Sequence, residues 1–317
     1  MNLRKGLRLL GSVALLGWLA WRTDWRQVAE AFATLRWALW AAALGVYALA
    51  QLVSAVRWGL LARPLGFHRP AWQYVGFYFI GMFFGLFLPT SVGGDVVRGW
   101  YLDGGSGRRR SALFSVFVDR ASGLLVLMGV AAVALVLCPV EVPVWVSRGV
   151  WGMLAAGLAG LALLPLLARR VHRFEAVRRS VEAARLYLRR PSLLAGTTAL
   201  SLAVQAGHVA VVWLIGLALG LSVPAGYYAV VVPVVSLLTL LPVSINGVGV
   251  REAGMVTLLG MAGVSPGGAL SLAFLWFLAF TVASLGGLGF SLFGHFPRPD
   301  AAAAHSATQG PPARSAA

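Results

Sequence analysis

Apolar runs alternate with short arginine-bearing breaks along almost the whole chain. The stretches at 7–21, 37–56, 72–88, 112–137, 150–168, 193–221 and 269–293 are predominantly apolar. A helix that is apolar all round is buried in a large core or crosses a membrane, and about 20 such residues span the hydrocarbon. The pattern predicts an all-α polytopic membrane protein. One stretch differs. In 169–190, Val171, Phe174, Val177, Val181, Ala184 and Leu188 recur three or four apart among eight arginines and two glutamates. That spacing predicts an amphipathic helix lying on the cytoplasmic lipid surface. The Ala/Pro/Ser-rich segment 297–317 predicts a disordered tail.

Two phrases interrupt the apolar pattern in nearly the same words. The first runs Leu88-Pro89-Thr90-Ser91-Val92-Gly93-Gly94-Asp95-Val96-Val97-Arg98, and the second Leu241-Pro242-Val243-Ser244-Ile245-Asn246-Gly247-Val248-Gly249-Val250-Arg251. They align without a gap. Pro and Gly break helices. At membrane depth broken helix is tolerated only where protein or a cavity surrounds it, so matched breaks in two halves of a chain point to a substrate site between repeats.

Charge supplies the expected topology. Arg108, Arg109, Arg110 and the arginines of 169–190 mark cytoplasmic connections, whereas 222–226 and 262–268 carry no charge and fall outside. With the N-terminus inside, 57–69 is an inner loop. Residues 72–108 then start and finish inside, and 226–263 start and finish outside. Each is expected to form a re-entrant helical hairpin with a Pro-Gly phrase at its tip. The expected domain is a single membrane unit over 1–296: two inverted repeats, about 5–138 and 149–294, each of two spans, a hairpin and one span. The alternative makes every hairpin leg a full span. Against the N-terminus-inside orientation stand Arg22, Arg26 and Arg36, which it places in an outer loop. Segment 7–21 also resembles a signal peptide and is expected to be retained. The location expected is the inner (plasma) membrane with both termini cytoplasmic.

Composition narrows the chemistry. The chain is 59% hydrophobic and 11% charged with a net charge of +16, against about 25% charged residues in a soluble domain. Its cations lie between apolar spans, which suits anionic lipid rather than nucleic acid. All but Lys5 are arginines, the residue suited to bidentate phosphate contact. A single cysteine, Cys138, rules out an internal disulfide and a cysteine-based metal cluster. The histidines show no ligand spacing, and no phosphate-loop or nucleophile-elbow motif occurs. No cofactor, metal or catalytic residue is expected.

Asp95, Asp119 and Glu252 are the acids in apolar context, each near an arginine: Arg98, Arg120 and Arg251. Ionisable groups at membrane depth cost roughly 2.5–3.5 kcal/mol each and mark function. Asp95 and Arg98 share a helix face, Arg251 and Glu252 are expected to diverge by about 100°, and Ser115 and Ser122 are candidate partners for Asp119. The helices after the breaks begin near Asp95 and Val250, so their N-termini join Arg98 and Arg251 in a seat for a phosphate headgroup. Gly93, Gly94, Gly247 and Gly249 admit the ligand closely; Asn246, Ser91 and Ser244 supply neutral hydrogen bonds. The competing structural reading is that the ion pairs merely pin the hairpins. Gln205 and His208 read as an interhelical hydrogen-bonding pair or as part of a polar path.

These motifs, with Val118-Asp119-Arg120, Gly123 and Arg251-Glu252, resemble the lysylphosphatidylglycerol synthase transmembrane-region family, also called flippase-like domain proteins. The resemblance covers about residues 5–295. It implies movement of a modified phospholipid between leaflets. Fused members add a soluble aminoacyl-transfer domain, which this sequence does not show, so the synthase activity is not carried over. The alternatives are a non-transporting scaffold for a lipid-modifying enzyme, and an intramembrane enzyme with Asp95 or Glu252 as general base. Membrane phospholipids and such an enzyme are the expected partners. Oligomeric state is not legible.

Overall fold

The computed structural model describes residues 25–88, 92–137, 142–170, 187, 189–240 and 247–294. Among them there is no strand. The helices are α1 (Trp25–Ala33), α2 (Trp37–Ala62), α3 (Ala71–Phe87), α4 (Gly93–Asp103), α5 (Arg109–Leu137), α6 (Val144–Arg170), α7 (Pro191–Ala218), α8 (Ala225–Leu238), α9 (Val250–Met261) and α10 (Pro266–Phe293), with a 3-10 turn at Arg63–Leu65. Helices α2, α5, α6, α7 and α10 are long and apolar enough to cross a membrane, and α3 and α8 are shorter apolar helices. The chain is thus an all-helical, multi-span membrane protein. The segment 7–21, the tail, and most of 169–190 lie outside the described residues.

Local chemistry sets several boundaries. Pro191 and Pro266 sit in the first turns of α7 and α10, where a missing N–H costs nothing. Ser265 caps α10 by accepting from Gly268 N at 3.2 Å. Gly104 ends α4 in a left-handed conformation, φ 52°. Gly247 and Gly249, with φ of 74° and 88°, turn the chain into α9.

Helix α2 packs against α7, and α3 against α10; α5 packs on α8, while α3–α4–α5 and α8–α9–α10 each pack in chain order. Helices α2 and α7 are antiparallel: Arg36 N donates to Ala218 O (3.0 Å) near one end, and Arg57 reaches Ser201 toward the other. The larger core joins Ala43, Met128, Ile215, Tyr228, Met255 and Leu272. A smaller one gathers Trp58, Tyr74, Phe77, Ile80, Leu102 and Val116 at the base of the α3–α4 pair. Leu49, Phe117, Val136, Leu137 and Phe293 are exposed, an apolar exterior suited to lipid.

The sequence reading placed Arg57 in an inner loop. Instead α2 continues to Ala62 and buries Arg57 inside the bundle. Below it, Arg108 donates to the carbonyls of Leu65 and Gly66 and lies over the Phe67 ring, fixing the α4–α5 turn to the end of α2. Buried Asp103 accepts from Ser106 Oγ (2.9 Å) and Arg108 N (2.6 Å). Tyr187 donates to Leu61 O at 2.6 Å, and burial raises its phenol above the ordinary value, keeping it a neutral donor.

Two close backbone approaches depend on glycine. A Cβ on Gly94 would stand 2.2 Å from Gly81 O, and one on Gly287 2.0 Å from Phe79 O. Gly94→Ala and Gly287→Ala are each expected to destabilise the protein by about 1–3 kcal/mol, read as an earlier unfolding transition in detergent. Gly289→Ala, where a Cβ meets nothing within 4 Å, serves as the neutral control.

Candidate functional site

The acids and arginines of the first half converge where α2, α4, α5 and α7 meet. Asp119 on α5 receives Arg57 from α2 (Nε to Oδ1, 3.0 Å) and Arg98 from α4 (Nη2 to Oδ2, 3.1 Å). Arg57 also donates from Nη1 to Ser201 Oγ on α7 at 2.8 Å. Asp95 is held in bidentate fashion by Arg120, with Nε to Oδ2 at 2.9 Å and Nη2 to Oδ1 at 3.1 Å. Arg98 Nε lies 3.1 Å from Asp95 Oδ1, without the alignment of a hydrogen bond. The chain of contacts is Arg120–Asp95–Arg98–Asp119–Arg57–Ser201.

Its charges do not balance. Three guanidinium groups meet two carboxylates among the described residues, leaving one positive charge in excess. Arg98 lies between the rings of Trp58 (4.9 Å) and Tyr78 (4.8 Å), which attract cations through their π faces. It is 3% exposed, and its Nη1 has no hydrogen-bond partner among the described residues. A buried unpaired N–H is costly and calls for an acceptor. Arg120 is the open end: its side chain is 62% exposed, about 16 Å along α5 from Arg109.

The second-half pair is closed. Glu252 accepts Gly249 N through Oε2 at 2.6 Å, capping α9, and receives Arg251 Nε on Oε1 at 3.1 Å. Arg251 also stacks 4.7 Å over Phe277. The adjacent side chains therefore pair rather than diverge, because Glu252 folds back toward the free N–H of the helix start.

The partners expected from proximity along the chain are redistributed. Asp119 takes Arg57 and Arg98 instead of Arg120, and Arg120 takes Asp95. Neither serine bonds the Asp119 carboxylate. Ser115 accepts from Trp58 Nε1 (3.1 Å) and donates to Ala112 O, while Ser122 donates to the Asp119 backbone. Gln205 donates to Gly123 O at 3.4 Å, and the His208 and Gln51 Nε2 atoms lie 3.3 Å apart, so both make interhelical contacts. Pro89, Ser91, Pro242, Ser244 and Asn246 lie outside the described residues. Arg57 and Ser201 were missed. The available signal was the run Trp58-Gly59-Leu60-Leu61-Ala62, which keeps Arg57 inside an apolar helix.

A separate groove of about 480 Å³ lies between α5, α7 and α8, lined by Val130, Leu202, Ala206, Val209, Trp213 and Ala229. It holds no charge. Leu202 and Ala206 each directly follow a polar residue of α7, Ser201 and Gln205.

Comparison with protein families matches residues 6–287 to a model described as "Lysylphosphatidylglycerol synthase TM region". No curated protein matches the chain.

Removing the shared acceptor leaves two buried guanidinium groups facing each other. Asp119→Ala is expected to cost about 3–5 kcal/mol of stability, whereas Ser201→Ala, which removes one hydrogen bond to a charged group, costs about 1.5–3 kcal/mol. Denaturant titration in detergent compares the two.

Proposed function

We propose a function from one premise: the chain belongs to the lysylphosphatidylglycerol synthase TM-region family. On this reading the protein carries an anionic phospholipid or lipid-linked intermediate between the leaflets of the plasma membrane. The observation that carries it is the unbalanced network: among the described residues, one surplus positive charge, an N–H without a partner on buried Arg98, and Arg120 open to the surroundings. A lipid-facing cation near the middle of a span is costly. A phosphate resting on Arg98 and Arg120 would cancel the surplus and fill the vacant donor. Arg251 would be the second contact. Gly93 and Gly94 at the start of α4, and Gly247 and Gly249 before α9, would let backbone N–H groups face the ligand. The apolar groove between α5, α7 and α8 would shelter an acyl chain.

The architecture that serves this movement is a pair of inverted repeats in a single membrane domain. The repeats are about 5–138 and 149–294, with both termini cytoplasmic. Three features support it. Exchanging α2 with α7, α3 with α8, α4 with α9 and α5 with α10 maps each packed pair among these helices onto another packed pair. Helices α2 and α7 run antiparallel, as inverted halves require. The legs α3, α4, α8 and α9 have 17, 11, 14 and 12 residues, about 25, 16, 21 and 18 Å long, against about 30 Å of hydrocarbon. Short legs favour hairpins that enter and leave by the same face, with their breaks meeting near the midplane.

Purified protein in liposomes is expected to move a labelled anionic phospholipid between leaflets. Arg120→Gln is expected to slow this at least about tenfold, the effect of losing about 1.4 kcal/mol, with a smaller fall in melting temperature than Asp119→Ala because Arg98 still faces Asp95. Movement at the wild-type rate in Arg120→Gln and Arg251→Ala alike rejects the carrier. Topology has its own check: reporters placed after Gly105 and after Ser265 should face opposite sides of the membrane.

A further inference from the structure

His208 is a titratable side chain left over by this account. It sits on α7, partly buried, two helical turns beyond Ser201 of the network. Its Nε2 lies 3.3 Å from the amide nitrogen of buried Gln51, and its ring stacks on Tyr47 at 5.8 Å and 25°. Tyr47 turns its other contact to Phe280, edge to face at 6.5 Å. The surrounding charge is known from each neighbouring helix. Helix α2 presents Tyr47 and Arg57, and the Arg57 charge acts on the imidazole. Helix α5 contributes Asp119 and Arg120, already engaged with Arg57, Arg98 and Asp95. Helix α8 holds only Tyr227, which donates to Leu258 O, and Tyr228, packed against Gly216. Helix α10 carries no ionisable residue. Arg120 and Arg251 both act electrostatically on Tyr47, so the Tyr47–His208 stack lies in the field of both arginine sites.

We propose that His208 is a proton-binding site coupled to the anion seat, so that headgroup and proton bind together. The inference rests on the seat proposed above. With Gln51 donating its amide N–H, His208 Nε2 is the acceptor and the imidazole is neutral. Protonation makes Nε2 a donor, and Gln51 must then turn its amide to offer Oε1. The pair has two discrete arrangements, one for each charge. An empty seat carries its surplus positive charge, and the Arg57 end of that network opposes a second cation on His208. A bound phosphodiester cancels the surplus and eases that electrostatic part of the opposition; burial of the imidazole, the larger part, is unchanged. Linkage is reciprocal: if the anion favours the proton, the proton favours the anion. The sign follows. Affinity for the anion rises as pH falls through the imidazole range.

The test uses the purified full chain and a short-chain phosphatidylglycerol, whose phosphodiester does not titrate in the range. Its affinity is measured from pH about 8 to about 5, and proton uptake is followed in weakly buffered solution as the lipid is added. Wild type should bind at least about fivefold more tightly at the acid end and take up protons on binding. His208→Gln keeps a hydrogen-bonding side chain and loses the titration, so its affinity should be flat with pH and its uptake absent. His208→Leu replaces it should the Gln variant not fold. Were the residue only interhelical glue, the Gln variant would reproduce the wild-type slope and uptake. That result overturns the proposal, as does a wild type that binds the lipid equally at all pH values. Failure of wild type to bind at any pH rejects the seat itself and this proposal with it.

Discussion

Everything in the first half of the bundle is arranged around the cost of burying guanidinium groups. Arg57 and Arg98 are 5% and 3% exposed, and each brings a formal positive charge into the bundle. Their charges must therefore be answered in place. Asp119 answers both, one carboxylate oxygen to each. It stands on α5 while its partners come from α2 and α4, so a single side chain ties three helices together. Removing charge by hydrophobic replacement is often neutral for stability. Among the described residues the network is left with one positive charge in excess, and the proposed ligand seat rests on that excess.

The ionisable groups of the two halves are paired in different ways. In the first, acids and bases are traded across helices, and Arg98 keeps a donor without a partner among the described residues. In the second, Glu252 turns back onto its own helix start and satisfies its neighbour Arg251. The two similar phrases thus lead into a cross-helix ion network once and a capped helix once. The difference lies in where the acid stands: three residues before the arginine in the first phrase, and directly after it in the second.

Much of this was legible before any coordinates. An apolar run of more than twenty residues has one structural solution in lipid, so the spans at α2, α5, α7 and α10 were readable from hydropathy. The starts of α4 and α9 followed from Gly93 and Gly249. Ion-pair partners were not readable. Asp119 and Arg120 are adjacent in the chain, but neighbours on a helix diverge by about 100°, and each found its partner on another element. Arg57 escaped because a charge at the edge of an apolar run looks like the start of a loop. Only the apolar residues beyond it, up to Ala62, show that the helix had not ended.

Gly81 and Gly94 have a mechanical consequence. With no side chain between them, the backbones of α3 and α4 touch directly, and no flexible layer is available to absorb sliding of one leg along the other. The pair is a stiff wedge. Any rearrangement that opens the arginine network must carry both legs together, pivoting where Arg108 fastens the α4–α5 turn to the foot of α2.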